Sequence, residues 1–193
     1  VSNEASKNVV PGLDVKIIPN AIPNQHINIE FTNSQDLLFI GRNEKRKNFK
    51  LYYQLSNLLK NSTYSFRAIT NKYIYSPNIE LFINPDDEIK NEVLKGSSIY
   101  LAVNTHGESF GITILEAINA GCTAVCSDIS AFKDLLGDSG VYFKNNNLED
   151  LKQTVEQLDT DDIQTIYNKQ KTHIEKYNVD KVMPSWISLY TQI

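Results

Sequence analysis

Residues 99–127 read IYLAVNTHGESFGITILEAINAGCTAVCS. The stretch opens on an apolar, β-branched and aromatic run, Ile99 to Val103, which predicts a buried strand. A polar loop with Gly107 follows. From Gly111 to Ala120 the apolar positions recur at helical spacing, and Gly121 ends the pattern where a left-handed residue commonly stops a helix. Thr123 to Ser127 is a second buried run. Strand, loop, helix, glycine and strand in under thirty residues is a βαβ unit, which implies parallel strands.

The same alternation extends outward. Toward the N-terminus, Leu37 to Ile40 reads as a strand stopped by Gly41. Leu51, Leu55, Leu58 and Leu59 predict a helix over about Asn48 to Lys60. Tyr64 to Thr70 and Ile79 to Phe82 read as strands. Asp86-Asp87 opens a short helix through Leu94, with Gly96 as its stop. Val15 to Ile18 reads as a strand closed by Pro19-Asn20, and Pro19 to Gln35 as a polar loop. Toward the C-terminus, Ser130 to Leu136 is a short helix closed by Gly137. Val141 to Phe143 is a strand, Asn145 to Asn147 a loop, and Leu148 to Leu158 a helix. Asp161 to Tyr177 and Val182 to Tyr190 are terminal helices. Pro184 is expected in the first turn of the last one, where a missing N–H costs least. Trp186, Leu189 and Tyr190 are expected to pack. The fold class is therefore α/β: one domain over residues 1–193, with a parallel sheet flanked by helices.

Composition agrees with a globular domain: 193 residues, 41% hydrophobic and 22% charged. The net charge of −4 disfavours a nucleic-acid partner, whose binding domains are usually basic. No apolar run is long enough for a membrane-spanning helix. Two cysteines, Cys122 and Cys126, make neither a disulfide framework nor a zinc pattern and read as small core residues. The chain starts at Val1 rather than Met, with no leader-like segment after it. That start is expected to be a processed end or a boundary within a longer protein.

In open parallel sheets ligands bind beyond the carboxyl ends of the strands. That rule selects residues 41–47, 83–86, 104–111 and 127–130. At the start of the Gly111 helix the first backbone N–H groups, near Phe110 to Ile112, lack intrahelical partners and face the crevice. Together with the helix dipole they suit an anion such as phosphate, and Gly111 permits close approach. Glu108 and Glu116 are eight positions apart. On one helix that spacing separates them by about 12 Å and off a common face, so they do not form one carboxylate pair. Each can instead accept hydroxyl hydrogen bonds from a different end of an elongated ligand. Alternatively Glu116 serves the helix dipole and Glu108 is a solvated charge. The segment Gly41 to Lys47 holds two of the three arginines, Arg42 and Arg46, just past a buried strand. Guanidinium and ammonium groups there suit a diphosphate, although most charged runs are solvated loops. His106 either polarises a ligand group or is a hydrogen-bonded loop residue.

In combination these segments resemble retaining GT-B glycosyltransferases of family 4. Glu108 to Glu116 resembles the E-x7-E motif. Gly121 to Ser130 resembles the segment that follows it in the family, and Gly137 to Gly140 its next turn. Phe39 to Lys47 resembles the glycine–arginine–lysine phosphate segment. Ile17 to Asn20 resembles a proline–asparagine turn near the domain start. Asn48, Ala21, Asn104-Thr105 and Asp134 depart from the usual residues.

The resemblance implies the C-terminal, nucleotide-sugar-binding half of a two-domain enzyme, with the N-terminal acceptor domain outside this chain. It assigns the catalytic roles to Arg42, Lys47 and Glu108. Arg42 and Lys47 would hold the donor diphosphate, and Glu108 would contact the donor sugar. Glu116 would bind the ribose hydroxyls. Gly41, Ser109, Phe110, Gly111, Ile112 and His106 would line the sugar and phosphate region, and Ile83 and Asn84 would lie along the base. It implies no metal and no cofactor, with a nucleotide-diphosphate sugar, UDP by default, as substrate. The expected acceptor is a glycan or lipid-linked glycan, as in bacterial O-antigen, capsule or lipopolysaccharide synthesis. The expected setting is cytoplasmic, at the inner membrane face, with peripheral membrane association of the full-length protein. A non-catalytic nucleotide-sugar-binding subunit that needs a partner chain is the alternative. An epimerase of the same fold is a third reading that the E-x7-E spacing disfavours.

Overall fold

The computed structural model describes residues 16–23, 35–158 and 160–191. Six strands form one parallel sheet: β1 (Asp36–Ile40), β2 (Ser65–Thr70), β3 (Glu80–Ile83), β4 (Ile99–Ala102), β5 (Thr123–Ser127) and β6 (Val141–Phe143). Their spatial order is β3-β2-β1-β4-β5-β6, every neighbouring pair being parallel. The chain runs outward from β1 to one edge, then returns to start again beside β1. The crevice between β1 and β4 is thus the topological switch point, where the loops leaving the two strands diverge.

Seven α-helices connect or follow the strands among the described residues: α1 (Phe49–Leu58), α2 (Asp87–Lys95), α3 (Ile112–Asn119), α4 (Ser130–Leu136), α5 (Leu148–Glu156), α6 (Thr160–Ile174) and α7 (Val179–Tyr190). Two are capped by residues the sequence marks. Asp86 accepts the Ile89 N–H at the start of α2, and Asn147 accepts the Asp150 N–H at the start of α5.

Alternate strand residues feed two cores. Leu38, Tyr100, Ala102, Ala124 and Cys126 face α2, α3, α4 and α6. Leu37, Phe39, Ile99, Leu101 and Val125 face α1 and α5. Both faces are covered, which is why β4 and β5 are apolar at nearly every position and buried throughout. Cys122 and Cys126 belong to this core as free thiols, and burial pushes the Cys122 thiol up to about 12. Buried Gln170 of α6 secures β5 where β6 does not reach. Its side chain accepts the Ala124 N–H at 2.8 Å and donates to the Ala124 carbonyl at 2.9 Å. That satisfies both backbone groups in a dry interior.

Three sequence readings need correction. Val15 lies outside the described residues, and Lys16 to Ile18 form no strand. An apolar run this short carries no periodicity that separates strand from packed coil. It is further on, at Ile22, that the chain lies against the C-terminal helices. Ile22 accepts the N–H of Val179 and donates to the Tyr177 carbonyl, both at 2.9 Å. Of the loop expected over Pro19 to Gln35, residues 24–34 lie outside the described residues, as does Val1.

Pro184 does not sit in the first turn. α7 starts at Val179, so the proline falls in the second turn and cannot donate to the carbonyl four residues back. The end of α7 packs less than expected: Trp186 and Leu189 are half-buried, whereas Tyr190 is 69% exposed. Trp186 and Tyr190 stack on each other with ring centroids 6.2 Å apart.

Candidate functional site

The loops leaving β1 and β4 are clasped together at the switch point. Gly41 starts the first of them. Its N–H donates to the Ile69 carbonyl, and a Cβ there would come within 2.8 Å of the buried Phe39 ring and 3.3 Å of Lys47 Cβ. The chain must therefore be bare at this point for residues 41–47 to fold back over the strand end. A 3-10 turn, Lys45–Lys47, follows, and Asn48 takes a left-handed conformation (φ 56°, ψ 40°) to turn the chain into α1. Asparagine tolerates that region better than most residues, which explains how it can occupy this turn in place of a glycine.

Across the crevice, the Thr105 N–H donates to the Arg46 carbonyl at 2.9 Å. Arg46 Nη1 donates to the Gly107 carbonyl at 3.0 Å. Lys47 Nζ donates to Glu108 Oε2 at 2.6 Å, and Asn104 Nδ2 donates to the same oxygen at 2.8 Å. The side chains of Lys47 and Glu108 are only 14% and 15% exposed. Neither Lys47 nor Glu108 is a solvated charge: residues 61 positions apart in sequence make one shielded, charge-assisted cluster, while Arg42 and Lys45 of the same run stay exposed.

The second glutamate has its own lysine. Glu116, in the second turn of α3, accepts from Lys90 Nζ of α2 at 2.9 Å through Oε2. Between the two Lys–Glu pairs, buried Tyr100 of β4 donates to Thr113 Oγ1 at 3.1 Å beneath the first turn of α3. Burial holds the Tyr100 phenol well above its usual range, so it stays a neutral donor. The N-cap of α3 is Gly111 (φ 92°), a left-handed conformation that glycine adopts without steric cost. The Phe110 side chain is core, edge-on to Tyr177 at 5.5 Å, so only its backbone is available to a ligand. Ile112 and Ser109 are exposed beside it.

A cleft of about 620 Å³ opens between these elements. Gly41, Arg42, Arg46 and Lys47 form one wall, Thr70, Asn71, Asn84 and Pro85 another, and Lys90 and Thr113 close the far side. Arg42 is exposed and has no ion-pair partner among the described residues. Asn84 is held at φ 44°, with its N–H on the Thr70 carbonyl. Ile83, 43% exposed, ends β3 next to it. The cleft thus gathers Gly41, Arg42, Lys47 and Asn84, with Glu108 and Glu116 attached through their lysines. His106 stands apart: it is exposed, its Nδ1 is 2.8 Å from Thr105 Oγ1, and it is not among the residues lining the cleft.

Sequence reasoning missed Lys90, Thr113 and Asn104 as site components. No spacing rule ties residue 90 to residue 116, because the link depends on how α2 and α3 pack. Chemically, four cations converge on a cleft with hydroxyl and amide groups, which suits an anionic, polyhydroxylated ligand. No group of three or more metal-ligating side chains gathers among the described residues.

Known proteins share this frame. Over 56 residues, the chain is 45% identical to a phosphatidyl-myo-inositol mannosyltransferase of Mycobacterium tuberculosis, a match covering 29% of this chain and 15% of the relative. The same enzyme of Propionibacterium freudenreichii is 47% identical over 53 residues, covering 28% of this chain and 14% of the relative. Among solved structures, S. aureus TarM in complex with fondaparinux, α-GlcNAc-glycerol and UDP superposes with a TM-score of 0.82 at 17% identity. The superposition covers 98% of this chain and 43% of TarM. The E. coli structure described as trehalose-6-phosphate bound with UDP-2-fluoro glucose superposes at 0.68 with 11% identity, over 83% of this chain and 45% of that one. The chain therefore spans less than half the length of these proteins, and its fold is the Rossmann-like fold of GT-B glycosyltransferases. The family model of glycosyl transferases group 1 matches residues 23–178, most of the chain, and the chain belongs to that family.

Proposed function

We propose that this chain is the donor-binding, C-terminal half of a retaining glycosyltransferase that moves a sugar from a nucleotide-diphosphate sugar to a glycan or lipid-linked acceptor. The observation that carries the reading is the cleft at the β1/β4 switch point, where Arg42, Arg46 and Lys47 face Lys90 and the start of α3. In that reading the diphosphate lies against Arg42 and Lys47. Their charge stabilises the leaving nucleotide as the glycosidic bond breaks. Glu108, whose Oε2 is engaged by Lys47 and Asn104, offers Oε1 to a donor-sugar hydroxyl. Ile83 and Asn84 flank the base. The leaving phosphate assists deprotonation of the acceptor on the same face of the sugar, so no side-chain nucleophile is required.

Uridine is the proposed base, supported by the uridine nucleotides in two of the structures that share the fold. The acceptor wall belongs to a facing N-terminal domain outside this chain. The proposed setting is the cytoplasmic face of a bacterial membrane, in surface polysaccharide synthesis. No metal takes part, because the lysine and arginine side chains already surround the diphosphate position.

The test is turnover by the intact protein with UDP- and GDP-sugars, reading the anomeric configuration of the product by NMR. Transfer with retention, lost in Arg42→Ala, is expected. Nucleotide-sugar binding without any transfer contradicts the enzyme reading and leaves a binding subunit in its place.

A further inference from the structure

The two Lys–Glu pairs share one arrangement. In each, the lysine occupies a single carboxylate oxygen, Oε2 of Glu108 and Oε2 of Glu116, and Oε1 has no partner among the described residues. The pairs differ in what surrounds them. Lys47 lines the large cleft. Lys90 lines both that cleft and a second hollow of about 150 Å³ behind it. Glu116 borders the smaller hollow together with Ile22, Pro23, Leu94 and Asn119. The pair thus stands between a cationic cleft and a compact hollow of mixed apolar and polar lining, on the scale of a pentose ring.

Lys90 is well placed to act as a fixed post. It lies one turn into α2, whose start is pinned by the Asp86 cap, and the Lys90 N–H donates to the Asp86 carbonyl at 3.0 Å. Its side chain is 27% exposed and that of Glu116 is 33% exposed. A partly exposed ion pair contributes little to stability. Its consequence is geometric: Lys90 holds the Glu116 carboxylate in one rotamer, with Oε1 presented and the negative charge balanced when a second anion enters the neighbouring cleft.

From this we infer that Lys90 is a positioning residue for ribose recognition. By binding Glu116 Oε2 it aims Oε1 at the vicinal hydroxyls of a nucleotide's ribose, and so sets preference for ribonucleotides over 2′-deoxyribonucleotides. The inference rests on the donor-site reading above and adds a residue and a specificity to it. Lys90 acts through Glu116 and does not itself hold the phosphates, although it faces the same cleft.

The experiment is titration of the intact protein and its Lys90→Ala, Lys90→Arg and Glu116→Gln variants with UDP, 2′-deoxy-UDP and UMP. If another base binds better, the matching ribo and deoxyribo pair is used. In the parent, UDP is expected to bind about ten-fold or more tightly than 2′-deoxy-UDP. In Lys90→Ala that ratio is expected to collapse toward one while the UDP-to-UMP ratio holds. Lys90→Arg is expected to restore most of the ribose preference. Adding Lys90→Ala to Glu116→Gln is expected to change the ribose preference no further, because the residue it positions is already altered.

An unchanged ribose preference in Lys90→Ala overturns the inference while leaving the donor site standing. A loss confined to the UDP-to-UMP ratio also overturns it, since Lys90 is then a phosphate ligand. A parent that binds no nucleotide overturns the donor-site reading and this inference together.

Discussion

Arg42 is the most informative single side chain. Lys47 and Arg46 are engaged by Glu108, Glu44 and the Gly107 carbonyl, whereas Arg42 is exposed at the cleft wall with no ion-pair partner among the described residues. Removing it therefore leaves no buried charge behind. Charge-assisted hydrogen bonds are worth about 1.5–3 kcal/mol. Arg42→Ala is expected to weaken UDP binding by roughly ten- to a hundred-fold, to leave uridine binding unchanged and to leave the melting temperature within a degree or two. Calorimetric titration with both ligands reads the difference, and equal losses for nucleoside and diphosphate would remove Arg42 from the phosphate site. At this scale the sequence was legible wherever chemistry is local. Two arginines beyond a buried strand line the cleft, and the two glutamates either side of Gly111 reach it through the lysines that bind them. Lys90 was not legible, because its partner lies 26 positions away and on a different helix. The role of Asn104 was hidden for a related reason. Only the tertiary clasp of Lys47 onto Glu108 shows that the amide completes it.

Among the elements, α3 matters most, because its first turn joins the two Lys–Glu pairs. That turn depends on Gly111. Its φ of 92° is costly for any residue with a Cβ, and that Cβ would lie 3.1 Å from Leu135 Cδ2 and 3.3 Å from Ile114 Cδ1. Gly111→Ala is expected to destabilise the fold by about 1–3 kcal/mol. It should also weaken nucleotide binding, by shifting the backbone N–H groups at the start of α3. Denaturant unfolding alongside titration checks both. A variant as stable as the parent would mean the turn relaxes without strain. The βαβ elements themselves were readable because parallel strands, buried on both faces, are apolar runs bounded by glycine and polar loops. The failures share one cause. Lys16 to Ile18 have no strand beside them, and the chain is tied down only further on, where Ile22 bonds to Tyr177 and Val179 near the C-terminus, a contact no local pattern encodes. Pro184 was expected at a helix start, yet Val179 begins α7, because nothing local in Val179 to Lys181 forbids an earlier first turn.

At the scale of the molecule, strand order converts a linear list of motifs into a site. The order β3-β2-β1-β4-β5-β6 brings the loop after β1 against the loop after β4, although more than 50 residues separate them. The alternation of strands and helices announced a parallel sheet, but the order itself depends on which strands pair, and no periodicity encodes that. An acidic chain of net charge −4 thus places Arg42, Arg46, Lys47 and Lys90 around one cleft. Such local concentration of positive charge on a negative protein favours capture of an anion. We propose that this cleft is a metal-independent nucleoside-diphosphate site. Its most direct test is calorimetric titration of the protein with UDP, GDP, ADP and CMP, each with and without EDTA. Selective binding of one diphosphate, UDP first, is expected, with an affinity that EDTA leaves unchanged. Failure to bind any of the diphosphates, or binding that EDTA abolishes, would contradict it.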